Sequence, residues 1–238
     1  MRNILIVAGG AVAVVAIAAG VYFGSRPTVP GPVPVAAAVA AGGGTSAGGT
    51  AGGAADAAPA TGKSLLEVQP GDHVMGDLKA PITMIEYASL TCPHCAHFNT
   101  TVLPELEKKW VATGKVRLIY RDFPLDQMAT KAAQLAECAG NDKYYAVLDM
   151  IFRGQGTWAT ATDPIAELSK SLRIAGMGDN EVKACLANDA VATGVINDYR
   201  GGESLGVNST PTIFVNGEQF KGARSVEEFD AVFTKLAK

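Results

Sequence analysis

Two thiols three positions apart, Cys92-Pro93-His94-Cys95, stand where a bulky apolar run gives way to a helical pattern. This junction restricts the chain more than any other feature. The preceding Ile82-Thr83-Met84-Ile85-Glu86-Tyr87-Ala88 alternates and reads as a half-buried strand. Residues from Ala96 onward read as a helix, so Cys92 falls at a helix N-terminus. Unpaired backbone N–H groups and the positive end of the helix dipole favour an anion there. A thiolate at that position is stabilised and its pKa falls, the condition for nucleophilic redox chemistry. Two readings compete with a redox pair: an inert structural bridge and half of a zinc site. Zinc needs four ligands, and neither His97 nor the distant cysteines supply a second close-spaced pair. No metal is therefore expected.

The 238 residues are unevenly spent. Residues 4–23 carry no charge, and 20 residues of helix span ~30 Å, a bilayer's hydrocarbon thickness. Tyr22 and Phe23 suit an interface, and Arg2 marks the near end as cytoplasmic. Residues 1–26 are thus a membrane anchor or a signal segment, with Ala16-Ile17-Ala18 as a plausible cleavage site. Either reading exports the remainder of the chain. Between Pro27 and Gly62 there are 5 Pro, 9 Gly and one charge, Asp56. Such a composition cannot bury a core, so 27–63 reads as a disordered linker with a reach of ~30–36 Å. Three of the 20 basic and one of the 23 acidic residues precede position 64, leaving the rest acidic. Basic runs and spaced aromatic–basic patches are missing, which argues against nucleic acid as a partner. All four cysteines, Cys92, Cys95, Cys138 and Cys185, lie beyond the linker. An even count in an exported domain favours two disulfides.

Along 64–238 the pattern suggests a short strand near 65–69, then the 82–88 strand and the helix opening at the cysteines. Pro104 is expected to break that helix or start a new one, since Leu103 before it is pushed from the α region. Residues 115–121 form a second strand candidate. Helical spacing follows at 127–139, 143–152, 165–174, 181–186 and 191–205, with start signals at Asp163-Pro164 and Asp179. Strands resume at 212–215 and 218–221 around Asn216-Gly217, a strong two-residue hairpin turn. Ser225 with Glu228 three residues on announces a final helix through a capping box. The order βαβ, helices, ββα describes an α/β sheet domain with a helical block inserted mid-chain. On this reading 64–125 and 206–238 make the sheet domain and 126–205 the insertion.

Glu86-Tyr87-Ala88-Ser89-Leu90-Thr91-Cys92-Pro93-His94-Cys95 and, far downstream, Ser209-Thr210-Pro211-Thr212-Ile213-Phe214-Val215-Asn216-Gly217 resemble the thioredoxin superfamily. With the helical insertion, the likeness is to its DsbA-like thiol oxidoreductases, and it covers the whole of 64–238. The resemblance implies a thioredoxin fold in which Cys92 exchanges disulfides with substrate and Cys95 resolves them. Pro93 suits the first helical turn, and His94 can place a positive charge or an N–H near the sulfur. The resemblance further implies that Pro211 is cis and faces the cysteines, presenting backbone groups of Thr210 and Pro211 to an extended substrate. It makes Glu86 a buried acid that serves Cys95, although strand alternation alone also allows Glu86 to face solvent. Cys138 and Cys185 are expected to form a structural disulfide, with two separately buried thiols as the alternative. His73, His97 and Trp158 read as ordinary surface or core residues.

The expected activity is donation of disulfides to exported proteins on the periplasmic side, tethered to the inner membrane or released if the leader is cleaved. It needs no cofactor beyond the two sulfurs. The resemblance implies re-oxidation by a DsbB-like membrane quinone reductase. Two other readings stay open. Some oxidases of the family carry Val where Thr210 stands and isomerases often carry Thr, which leaves room for an isomerase or reductase. The third is a non-catalytic binding or holdase module of the envelope.

Overall fold

A computed structural model describes residues 62, 64–222 and 224–238. The anchor or signal segment expected at 1–26 and nearly all of the expected linker lie outside the described residues. Among those described, no helix is long and apolar enough to cross a membrane.

The described chain opens not with a strand but with a 3-10 turn over Ser64–Leu66. The first strand, β1, comes later and is only Val74–Met75. Two residues show no period, so nothing local could reveal it; its pairing antiparallel to β3 (Val116–Asp122) defines it. β2 is Ile82–Ala88. It pairs in parallel with β3, Ile82 opposite Val116 through Ala88 opposite Asp122. On its other edge β2 meets β4 (Thr212–Val215) antiparallel, and β4 meets β5 (Glu218–Lys221). The sheet order is β1-β3-β2-β4-β5. Asn216 and Gly217 turn the last hairpin with φ of 46° and 87°, the two positive values that a type I′ turn needs.

β2 is the central strand and all seven of its residues are buried. The half-buried reading fails because the strand is covered on both faces. Alternation still sorts its side chains. Ile82 and Met84 pack with Phe98, Leu118, Ile213 and Phe229. Ile85 and Tyr87 pack on the opposite face with Ile119, Phe123 and Phe214. By the same alternation Glu86 shares the face of Ile82 and Met84.

Helix α1 covers 93–111 and connects β2 to β3. Of the two expectations at Pro104, the helix does not break, but a fresh α segment starts there. Two of its turns, Phe98–Val102 and Glu107–Val111, are wider than α; Leu103 N–H bonds back to the Phe98 carbonyl. That one-residue shift restarts the α pattern with Pro104 in a first turn, where its missing N–H costs no bond. Leu103 keeps helical φ and ψ of −56° and −42°.

The helical block comprises α2 (Gln127–Glu137), α3 (Tyr144–Trp158), α4 (Pro164–Ile174), α5 (Asp179–Leu186) and α6 (Asp189–Ser204). Asp126, Asp163 and Asn188 cap α2, α4 and α6 by accepting backbone N–H groups. α3 runs six residues past the expected end. Gly154 and Gly156 weaken local helix propensity, but Ile151, Gln155 and Trp158 extend the buried stripe and carry the helix through. Leu135, Val147, Ile151, Phe152, Leu168 and Leu172 form this block's core, and Cys92 and Cys95 belong to the same cluster. Cys138, at the end of α2, is disulfide-bonded to Cys185 of α5. α7 (Val226–Leu236) closes the chain behind the expected capping box of Ser225 and Glu228.

Candidate active site

The turn between β2 and α1 is held from three directions before any chemistry is considered. Cys92 N–H donates to the Ser89 carbonyl at 3.1 Å. The Thr91 hydroxyl donates to Asp126 at 2.6 Å, tying the turn to the start of α2. From α3, the Gln155 amide donates to the carbonyls of Leu90 at 2.7 Å and Cys92 at 3.1 Å. Cys92 itself is extended (φ −80°, ψ 120°) at the N-cap and makes no side-chain capping bond. Its sulfur is therefore left for other partners. Pro93 follows in the first turn, and His94 beside it is exposed.

Cys92 and Cys95 are both free thiols in this structure. Their environments differ sharply. A hydrogen bond from the Cys95 thiol, with help from Thr210 and the N–H groups of Cys95 and His94, pulls the Cys92 thiol down to about 5 against the opposing effect of burial. Burial and the bond to Cys92 push the Cys95 thiol far up. Cys92 remains 6% exposed while Cys95 is fully buried. One sulfur is thus a reachable thiolate, the other a protected thiol.

The chain returns to this site 118 residues later. The Thr210–Pro211 peptide is cis, and the Thr210 carbonyl oxygen accepts from Cys92 Sγ at 3.5 Å. The Thr210 hydroxyl is buried without a hydrogen-bond partner, so it can donate to the sulfur once the thiol ionises. Pro211 lies buried at the head of β4.

Beneath the cysteines, Glu86 has no exposed surface. Its burial, and the nearby Cys92 charge, raise its pKa to about 8 against the bond it accepts from Asn99. Asn99 Nδ2 donates to Glu86 Oε1 at 2.8 Å and to the Cys95 carbonyl at 3.0 Å. Glu86 Oε2 is buried with no partner. β2 is the central strand, and the cover of α1 leaves Glu86 fully buried on its own face.

Sequence reading did not identify Asn99 or Gln155. A signal for Asn99 exists: it stands four residues after Cys95, on the same face of α1. Nothing local marks Gln155, which reaches the turn from 63 residues away. The structure brings Cys92, Cys95, Glu86, Thr210 and Pro211 together, and keeps Cys138 and Cys185 apart from them as a separate bridge. Among the described residues no group of three or more His, Cys, Asp or Glu side chains could hold a metal ion.

Comparison with known proteins agrees with this geometry. The Thioredoxin family model matches residues 68–235. A candidate protein-disulfide oxidoreductase of Rickettsia conorii is 33% identical over 159 residues, 66% of this chain and 57% of that one. The chain spans only about three-fifths of the length of the Rickettsia relatives it matches. The disulfide bond formation protein D of Bacillus subtilis is 24% identical over 74% of this chain and 83% of its own. Among solved structures, alpha-DsbA1 of Wolbachia pipientis superposes with a TM-score of 0.69 at 30% identity, covering 74% of this chain and 96% of that one. A strand–CPHC–helix junction facing a cis proline, an inserted helical block and these matches place the chain in the thioredoxin family, among the DsbA-like thiol:disulfide oxidoreductases.

Proposed function

We propose that this protein donates disulfides to exported proteins through Cys92 and Cys95. The observation that carries the reading is the placement of Cys92 at the N-cap of α1, its sulfur uncommitted to capping and 3.5 Å from the carbonyl oxygen of the cis Thr210–Pro211 peptide, with the Cys95 thiol bond drawing its thiol down to about 5. A thiolate so stabilised favours the reduced pair, which makes the disulfide a strong oxidant. That relation is the general one already described for DsbA. It also weighs against the reductase and isomerase readings.

The transfer runs in two exchanges. A substrate thiolate attacks Cys92 Sγ of the internal disulfide; the Cys92–Cys95 bond breaks, and Cys95 leaves with the electron pair and takes a proton. A second substrate thiolate attacks the substrate sulfur of the mixed disulfide, and Cys92 leaves as a thiolate. The substrate loses two electrons and the protein gains them. Cys92, the more acidic thiol, is the better leaving group in the second exchange. Glu86, protonated near neutrality, supplies the proton to Cys95. The substrate lies extended against Thr210 and Pro211, held mainly by backbone hydrogen bonds, which suits loose sequence selectivity.

Returning the protein to its disulfide form requires a two-electron acceptor, and a DsbB-like membrane quinone reductase fits that need. The uncharged run at 4–23 and the linker after it support a periplasm-facing domain tethered to the inner membrane. The bridge between Cys138 and Cys185 is structural in this reading.

The test is the reduction potential of the Cys92–Cys95 pair, measured against glutathione, together with the redox state of Cys92 in cells. An oxidising potential and a mainly oxidised steady state are expected. A potential near thioredoxin's, about −270 mV, or a mainly reduced Cys92 would overturn the donor assignment.

A further inference from the structure

The end of the domain opposite Cys92 carries side chains that disulfide transfer does not use. β2 and β3 are parallel, so both begin at that end and α1 returns to it. α7 runs the same way as α1, since Phe229 packs on Phe98 and Phe233 on Trp110. Four pieces of chain therefore meet there: the turn before β2, the last turns of α1, the start of β3 and the last turn of α7. We propose that this end is a docking surface for an anionic phospholipid bilayer. The inference rests on the reading of residues 1–26 as a membrane anchor, which holds a bilayer within the linker's reach of ~30–36 Å.

Charge is the first observation. Lys79, Lys108, Lys115 and Lys235 are exposed here and Arg117 is half-buried. The acidic side chains at the same end are Asp77, Glu218 and Asp230, and Asp230 is already paired with Lys109. The surplus is positive, on a domain that is acidic overall beyond residue 63. No basic run announces it, because the charges come from four elements.

Exposed apolar surface is the second. Of the four large apolar side chains exposed among the described residues, two lie at this end: Leu78, 63% exposed, and Leu236, 41% exposed. Leu78 sits on a turn tied by three bonds. Ala80 N–H donates to the Asp77 carbonyl at 2.9 Å, Lys79 N–H donates to Asp77 Oδ1 at 2.8 Å, and Arg117 donates to the Leu78 carbonyl. A turn so fixed holds its leucine out in water. Trp110 is half-buried, with the Lys115 ammonium 5.4 Å from its ring centroid.

Cations alone would suit any polyanion. Cations combined with a fixed, exposed leucine and a half-buried tryptophan suit a headgroup layer, where charges meet phosphate and apolar side chains enter beneath it. Docked this way, the domain turns Cys92 away from the bilayer and towards exported chains. Such charge contacts are weak and screened by salt, so the domain can leave the surface and present Cys92 to a membrane partner.

Trp110 is a built-in probe, because the chain's other tryptophan, Trp158, is buried. The full chain is placed in phosphatidylcholine vesicles with or without phosphatidylglycerol, each carrying a headgroup nitroxide that quenches nearby tryptophan. Subtracting a Trp110→Phe variant isolates the Trp110 signal. Quenching should rise by at least about twofold with the anionic lipid, as expected for several cations near a charged surface. It should fall back in about 1 M salt, where the screening length is ~3 Å. K79E/K115E/K235E should abolish the rise and Leu78→Ser should reduce it. Both variants change exposed side chains far from Cys92, so their transfer of disulfides to a soluble dithiol peptide should match wild type. Equal quenching in both lipids, or a rise that the triple variant keeps, overturns the docking surface. A rise that survives Leu78→Ser and is displaced by polyglutamate overturns its assignment to lipid. Failure of the chain to float with pure phosphatidylcholine vesicles refutes the anchor instead. Docking is then decided by flotation of the same protein with phosphatidylglycerol vesicles, and no binding there, or binding that the triple variant retains, overturns it.

Discussion

Glu86→Gln should make the protein's stability respond differently to pH, and the size of the change comes from the carboxyl's surroundings. An unfolded chain releases the Glu86 proton near 4.5, whereas the folded protein holds it until about 8. Between those values the native state binds more protons than the unfolded state. The Glu86 contribution is therefore fully present below 4.5 and is lost as pH rises through 8. The rate is ~1.36 kcal/mol per pH unit. From about pH 4.5 to 7 the wild type should lose about 3 kcal/mol that the glutamine variant does not lose. The introduced glutamine can still accept from Asn99 through its carbonyl, so the pH-independent cost is confined to an amide placed where Oε2 has no partner. The other raised carboxyls, Asp198 and Asp122, are common to both proteins and cancel in the difference. Urea unfolding of both proteins at several pH values measures it, with the state of each thiol checked by mass spectrometry. The gap between variant and wild type should open in favour of the variant as pH rises, and less so with Cys92–Cys95 oxidised, since the Cys92 charge is then gone. A gap that stays constant from about pH 4.5 to 7, within about 0.5 kcal/mol, would refute a buried, weakly acidic Glu86.

Three further outcomes are expected. Gln155→Leu strips the donor from the carbonyls of Leu90 and Cys92; it should cost about 1–3 kcal/mol and move the Cys92 thiolate titration, followed by ultraviolet absorbance, upward. Replacing Cys138 and Cys185 together by alanine opens a bridge with a sequence separation of 47. The loss should be ~4 kcal/mol in the loop-entropy model, read by denaturant unfolding, with disulfide transfer by the folded variant retained. Arg121 is 2% exposed and pairs with Asp72 at 2.7 Å, and it also donates to the carbonyls of Leu65 and Glu67. Asp72→Asn should cost about 3–5 kcal/mol by stranding that guanidinium charge, and hydrogen exchange should show the segment before β1 loosening first.

The split between local and distant information is visible residue by residue. The Asn216-Gly217 turn, the Ser225–Glu228 box and the cap at Asp163 use bonds that close within three or four residues, so the residue types announce them. The strand–helix junction at Cys92 is legible for the same reason, because helix polarity is a property of the backbone. Elements that exist only by pairing were misread or overlooked. β1 is two residues long and its partner is 43 or more positions away. The segment 65–69 carries apolar residues but no sheet edge awaits it. Pro104 allowed either a break or a fresh start, and the one-residue shift that makes it a fresh start depends on how α1 packs.

What the sequence by itself determined is therefore the list of chemical groups, their spacing along each element and the face each occupies. The tertiary structure alone decided which faces meet. Alternation could put Glu86 on one side of β2 but could not say that α1 covers that side, and it is that cover which turns an ordinary carboxylate into one protonated near neutrality. The Thr210 carbonyl at Cys92 and the Gln155 clamp from α3 have the same origin. Periodicity records how much of a face must be hidden from water; it does not record what hides it.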